Sequence, residues 1–452
     1  MTRFNTQFNR SNVTGRFFLF GVFSFIFAAS ALGAAPSNDN FANAETVSGM
    51  QIHITRTNSE ATKETGEPNH AGNAGGKSVW FKWTAPMTRM MNFSTNRSGG
   101  NINTLLTIYR GTALGNLQNE ASSNDIDDFN LKSNVGFQAY QGTTYYIAVD
   151  GAFENGQAAE GTFRLDGSPS FRSQSADYDN DGQTNLAVFR PSTGTFFHYK
   201  SWTQQTVYTF WGTNGDLPTV GGDNSGNNFM VFRPSTGTWY AKPSQCCAND
   251  MIVQWGTAGD IPVPEEYYAD VTTAAVFRPS NGTWYINAFS GEHTYYQFGL
   301  SGDIPVPGHY SADGFADLAV FRPSNGVWYF LKRVGNAGFD DSYGAVQFGT
   351  AGDKPVPGDY DGDGLLDIAV YRPSTGTWWV LPSSDLQPRA FQFGIAEDIP
   401  TTGDYDGDGR FDFAVFRPST GTWYIHRSGD GSIQIKEFGL AGDIPVTANR
   451  SF

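Results

Sequence analysis

Three nine-residue strings hold most of the chain's potential for chemistry: DYDNDGQTN at 177–185, DYDGDGLLD at 359–367 and DYDGDGRFD at 404–412. Each places hard oxygen donors at its first, third, fifth and ninth positions, with glycine at the sixth for a sharp bend and a backbone carbonyl at the seventh as a further donor. The side chains are Asp177, Asp179, Asp181 and Asn185 in the first string, and Asp359, Asp361, Asp363 and Asp367 in the second. In the third they are Asp404, Asp406, Asp408 and Asp412, and the seventh-position carbonyls belong to Gln183, Leu365 and Arg410. Several carboxylates gathered in one short loop repel each other at neutral pH, so a bare turn explains the pattern poorly. The oxygen-only donor set makes Ca²⁺ the expected cofactor, with a structural role: it stiffens a loop beside an inner strand.

A related string, HYSADGFAD at 309–317, keeps Asp313 and Asp317 but carries His309 and Ser311, so any site there is expected to be weaker. GGDNSGNNF at 221–229 and EEYYADVTT at 265–273 have lost the pattern, and no calcium is expected in either. Little points to catalysis. His53, His70, His198, His293, His309 and His426 are scattered without triad or metal-ligand spacing, and no nucleophile elbow or phosphate loop is present. Cys246 and Cys247 are adjacent, which disfavours an ordinary disulfide between them and gives no metal-site spacing.

The acidic strings belong to a larger repeat. Arg-Pro-Ser-Thr/Asn-Gly begins at 190, 233, 278, 322, 372 and 417, and an aromatic-Gly string that ends in Asp-X-Pro begins at 211, 255, 298, 348, 393 and 438. The period, between 43 and 50 residues, suits one four-stranded blade of a β-propeller. Within a unit, two apolar β-rich runs flank the Pro-Ser-Thr/Asn-Gly turn, where proline presets φ and glycine accepts positive φ, so a hairpin is expected. The first unit lacks a preceding Gly-Asp-Ile-Pro-Val, while GDIPVT occurs at 442–447, so late residues can complete the first unit. Six blades closed by that overlap is the reading, with seven blades, the extra one built partly from residues near Phe171, as the alternative.

With the acidic loops, the repeats resemble FG-GAP/VCBS-type repeats, the propeller units of integrin-like heads and of many bacterial secreted proteins. The resemblance implies calcium at the three acidic loops. Trp239, Trp284, Trp328, Trp378 and Trp423 share one repeat position, with Phe196 in the first unit. They are expected to pack between blades, although exposed rings could stack on sugars. The repeated Arg190, Arg233, Arg278, Arg322, Arg372 and Arg417 are expected to pair with the repeated Asp216, Asp260, Asp303, Asp353, Asp398 and Asp443 rather than with ligand.

Upstream, alternation puts Val79, Phe81 and Trp83 on one face of one strand, and Tyr145, Ile147 and Val149 on one face of another, with TFRLDG at 162–167 as a further strand. Such strands indicate an antiparallel sandwich over 36–167. NDNFANAETVSG (38–49), SVWFKWTAP (78–86), TLLTIYRG (104–111) and TTYYIAVDG (143–151) follow the order of the bacterial pre-peptidase C-terminal-like (PPC) domain, and the segment resembles that jelly-roll family. The resemblance implies an accessory role, and some relatives bind calcium. Asn38, Asp39, Asp125, Asp127 and Asp128 supply suitable oxygens here, with turn formation as the simpler account of them.

The fold class is therefore all-β: signal peptide 1–35, sandwich 36–167, propeller 168–452. Arg3, Arg10 and Arg16, the apolar stretch from Phe17 to Ala29 and the small residues that follow read as a secretory signal. No later segment is long and apolar enough to span a membrane. The net charge of −15, which becomes more negative on cleavage, argues against nucleic acid and anionic membranes. The expectation is a secreted or surface calcium-binding adhesion or ligand-recognition monomer without catalysis, its partner an extracellular protein or polysaccharide. A lectin, or a propeller hydrolase or lyase, is the alternative.

Overall fold

The computed structural model describes residues 34–446 apart from 87, 96–101, 126–130, 170–175, 180, 202, 224–225, 245–249, 269–270, 288–292, 312, 314 and 334–338. The expected signal segment lies almost wholly outside the described residues, as do Cys246, Cys247, Asp127 and Asp128. Regular structure is overwhelmingly strand, with two three-residue 3₁₀ turns, Phe41–Asn43 and Leu114–Asn116. No helix among the described residues is long and apolar enough to cross a membrane.

The upstream strands form two large sheets and a two-stranded ribbon, Phe153–Glu154 with Gln157–Ala158. One has the order Glu45–Val47, Val79–Thr84, Thr144–Gly151, Thr104–Arg110, Gln118–Ser123; the other Ile52–Thr57, Thr162–Pro169, Arg89–Ser94, Asn134–Ala139. Alternation buries one face of each against the other: Val79, Phe81, Trp83, Tyr145, Ile147 and Val149 share a core with Phe93, Phe137, Phe163 and Leu165. Trp80, on the opposite face, is also fully buried, packing on Phe41, Tyr109 and Ala148.

The repeats form six sheets with a common four-stranded antiparallel path, which is the β-propeller architecture. Unit five shows the pattern: Lys354–Pro355 inside, then Ile368–Arg372, Thr377–Leu381 and Arg389–Gln392. The Pro-Ser-Thr/Asn-Gly turn needs its glycine for two reasons. Gly376 sits at φ 61°, and a Cβ there would lie 2.1 Å from the carbonyl oxygen of Gly394. Unit one is completed from far along the chain: Ile444–Pro445 pairs with Val188 and Phe189, and the Val446 amide donates to the Ala187 carbonyl at 2.9 Å.

Each unit is fastened in the same way. The aspartate before the inner strand accepts two guanidinium hydrogen bonds from the arginine that ends the second strand, as in Arg190 with Asp443, both at 2.8 Å, and Arg322 with Asp303 at 2.7 and 2.8 Å. The guanidinium lies over an aromatic ring on the third strand, 4.3 Å from the centroid of Tyr329 in unit four. The repeated tryptophans are buried, and their indole N–H groups donate to backbone carbonyls, Trp378 to Phe393 at 2.9 Å and Trp423 to Phe438 at 2.8 Å. The rings therefore pack inside the sheets and do not offer faces to a sugar.

Candidate metal centre

The acidic strings form the loops that lead into the second strand of units five, six and one, and in units five and six they follow the innermost strand of the same unit. In units five and six, Gly358 bridges to Asp367 and Gly403 to Asp412, which brings positions one and nine of the string together. One carboxylate oxygen from each of Asp177, Asp179 and Asp181 lies within 4.8 Å of the others, and the same holds for Asp359, Asp361 and Asp367 and for Asp404, Asp406 and Asp412.

The first aspartate organises each loop through the backbone. Asp359 accepts the amides of Gly362 and Gly364 at 2.7 and 2.9 Å, and Asp404 accepts Asp408 and Gly409 at 3.1 and 2.8 Å. The ninth residue ties the loop down: Asp367 accepts the Tyr360 and Ser383 amides at 2.9 and 2.7 Å, and Asp412 accepts Tyr405 and Ser428 at 2.8 and 2.7 Å. In unit one Asn185 plays that part, accepting the Tyr178 amide at 2.7 Å and donating to Asp179 at 2.9 Å.

The electrostatics are those of anions held together out of water. Burial, and then the Asp181 and Asp179 charges, push the Asp177 carboxyl well above its ordinary range. Asp359 and Asp404 are raised in the same way, burial first and then their neighbouring aspartates. Asp181, Asp367 and Asp412 are each carried up to about 7, chiefly by burial. A divalent cation reverses that penalty by supplying the missing positive charge. The residues fit such an ion: Asp179 is 5% exposed, and its Oδ2 is buried without a hydrogen-bond partner beside the other two carboxylates.

The expected ligands do not all converge. Asp363 and Asp408 lie outside the two clusters, occupied by Ser383 and Ser428 hydroxyls at 2.6 and 2.9 Å, and Asp408 also by the Arg410 guanidinium at 2.8 Å. Asn185 brings no carboxylate to the first cluster; its side-chain amide donates to Asp179 at 2.9 Å and its side-chain oxygen accepts the Tyr178 amide at 2.7 Å. Gln183, Leu365 and Arg410 occupy the seventh position, where their amides hydrogen-bond the fifth-position carboxylates at 2.9, 2.9 and 2.8 Å. In unit four, Ser311 bonds Asp317 at 3.3 Å, and His309 lies 3.3 Å from Glu266 of unit three; no carboxylate cluster of the kind seen in units five, six and one occurs there among the described residues. Asp39 in the upstream sheets is engaged by the Thr62 amide and hydroxyl at 2.6 and 2.9 Å.

Sequence reasoning missed two features. A serine sixteen residues beyond the ninth position, Ser383 and Ser428, closes over its acidic loop, and Ser201 at the same offset bonds Asp181. The signal was available, because the serine recurs at one repeat offset. The loops are also linked in series. The eighth-position amide of one unit donates to the first-position carbonyl of the unit before: Leu366 to His309 at 2.9 Å, Phe411 to Asp359 at 2.7 Å and Thr184 to Asp404 at 2.6 Å. That last bond carries the series across the ring-closing junction.

No family model matches the chain, and no curated protein matches it. Solved structures do resemble it. Virginiamycin B lyase from Staphylococcus aureus aligns with 61% of this chain and 94% of its own at 8% identity and a TM-score of 0.39. A streptogramin B lyase aligns with 59% and 91% at 9% identity and 0.38. A putative 6-phosphogluconolactonase from Bacteroides fragilis aligns with 59% and 96% at 12% identity and 0.34. The expectation of a non-catalytic adhesion or ligand-recognition protein is corrected to this extent: these neighbours include lyases and a putative lactonase and give it no support. At such identities the likeness reaches the fold alone, so it transfers none of these activities to this chain.

Proposed function

We propose that the chain is an exported calcium-binding protein: a six-bladed propeller of FG-GAP/VCBS-like repeats preceded by a PPC-like sandwich, in which Ca²⁺ ties neighbouring blades together. One observation carries the reading. Three carboxylates converge in each of three loops that recur in register, and one of those groups includes a buried carboxylate oxygen with no partner. The oxygen-only donor chemistry favours Ca²⁺ over softer metals. The loop-to-loop hydrogen bonds give an ion in one loop a mechanical consequence for the next unit. Export is supported by the arginines, apolar stretch and small residues of the first 35 positions.

The test is titration of the chelator-stripped protein with Ca²⁺ in a calorimeter, with terbium luminescence as a second reporter. Binding at three sites, reduced by one in Asp361→Asn and again in Asp406→Asn, is the expected result. Heat indistinguishable from dilution, or three sites retained in both variants, overturns it.

A further inference from the structure

The three acidic loops are consecutive around the ring, in units five, six and one, and the upstream two-sheet module touches all three. Gln51, just before the strand Ile52–Thr57, donates through Nε2 to the carbonyl of Gly409 at 2.9 Å. His53 Nε2 lies 2.9 Å from the carbonyl of Asp408, while its Nδ1 lies 2.7 Å from Asp166, its cross-strand partner on Thr162–Pro169. The approach leaves no room for a side chain: a Cβ on Gly409 would fall 1.9 Å from Gln51 Oε1, and one on Gly362 would fall 3.3 Å from Gln51 Cγ. At the third loop, a Cβ on Gly182 would lie 3.2 Å from the amide nitrogen of Asn92. A cleft of about 570 Å³ lies at this junction, with Gln51, His53 and Arg164 on one side and Gln183, Asp406 and Arg410 on the other. Units two and three, where the acidic string has decayed, contribute nothing to it.

We propose that the cation loops form the docking platform for the upstream module, so that cation occupancy and docking stabilise each other; this rests on the calcium reading above. The coupling runs through the loop backbone. Asp408 and Gly409 offer their carbonyls to His53 and Gln51 while their amides bond Asp404, a member of the carboxylate cluster. The peptide units that the module grips are therefore the ones the first aspartate orients. A cation that draws Asp404, Asp406 and Asp412 together holds those carbonyls in place, and without it the carboxylates are relieved only by separating or by taking up protons.

Linkage requires the effect to be reciprocal. The full chain and its Gln51→Ala/His53→Ala variant, neither change being at a cation-cluster residue, are titrated with Ca²⁺ calorimetrically, and small-angle scattering is recorded with calcium and with EDTA. In the variant one site is expected to weaken by about tenfold, the size of two lost hydrogen bonds, while the others hold. In the wild type EDTA is expected to raise the radius of gyration as the module loosens. Gln51→Ala alone, with circular dichroism as the check on folding, is expected to show a smaller loss at the same site. Calcium binding in the wild type with unchanged scattering, or wild-type affinity at every site in the double variant, overturns the linkage and leaves the calcium reading intact. No calcium binding by the wild type overturns both.

Discussion

Replacing Asp443 by alanine removes the fastening of a unit that the chain closes from a distance. Asp443 accepts two guanidinium bonds from Arg190 at 2.8 Å and the Leu440 amide at 2.9 Å, and its partner stands 253 residues away. The aspartate side chain is 2% exposed and the arginine 23%, so the orphaned guanidinium regains some water. The cost then falls between about 1 kcal/mol for an exposed pair and the 3 to 5 kcal/mol of a fully buried one, and about 2 to 3 kcal/mol is expected. With an unfolding entropy of about 2 cal/mol/K per residue, a propeller of this size should lose roughly 4 °C in melting temperature. Asp303→Ala removes the same bonds from Arg322, so its thermal cost is similar, but Asp303 is only 19 residues from its partner and a short connection keeps the strands adjacent. Hydrogen exchange separates the two: in Asp443→Ala the amides of Leu186–Arg190, Ile444 and Val446 should exchange far faster, while in Asp303→Ala those of Leu318–Arg322 should change little. Wild-type melting and exchange in Asp443→Ala would refute the claim that this pair closes the ring.

Other outcomes follow from the loops and the core. If Ca²⁺ binds only the folded protein, each site adds about 2.7 kcal/mol at a hundredfold excess over Kd, so EDTA should lower the melting temperature markedly, and an unchanged melt speaks against the sites. Because burial raises Asp181, Asp367 and Asp412 from 3.8 to about 7, the metal-free fold is favoured by protonation of these groups. That contribution is complete below the unfolded value of 3.8 and is lost as pH rises through about 7. The metal-free melting temperature should therefore fall across that window while the gain from calcium grows, and a metal-free protein that becomes more stable toward pH 7 would contradict the sign. Trp328→Ala, which empties a fully buried site and frees the Phe348 carbonyl, should cost about 3 to 5 kcal/mol by denaturant titration, whereas Tyr208→Ala on an exposed outer strand should cost little.

Much of this architecture was legible in the residues. A strict recurrence of Arg-Pro-Ser-Thr/Asn-Gly demands one local structure repeated, because proline and glycine at those positions admit few other backbone paths. The pairing of repeated arginines with repeated aspartates was legible for the same reason, as was the completion of the first unit by residues 442–447, while the structure decided that Arg190 takes Asp443. Asp177, Asp179 and Asp181 declared an oxygen cluster by their spacing alone. The function did not follow from the pattern, since a propeller hosts many activities and its chemistry depends on which side chains meet in space.

The sequence by itself determined the all-β class, the repeat, the hairpin turns and the loops that gather carboxylates, because each depends on residues within one repeat of about 45 positions. Only the tertiary structure decided which carboxylates converge: Asp181 joins its cluster while the equivalent Asp363 and Asp408 do not, although all three accept a serine hydroxyl. It alone decided that Phe411 reaches back to Asp359, that Thr184 reaches Asp404 across the junction, and that Gln51 and His53 grip one acidic loop. Those contacts join residues up to 358 positions apart through backbone carbonyls, which every residue type possesses and which leave no mark on the amino-acid pattern.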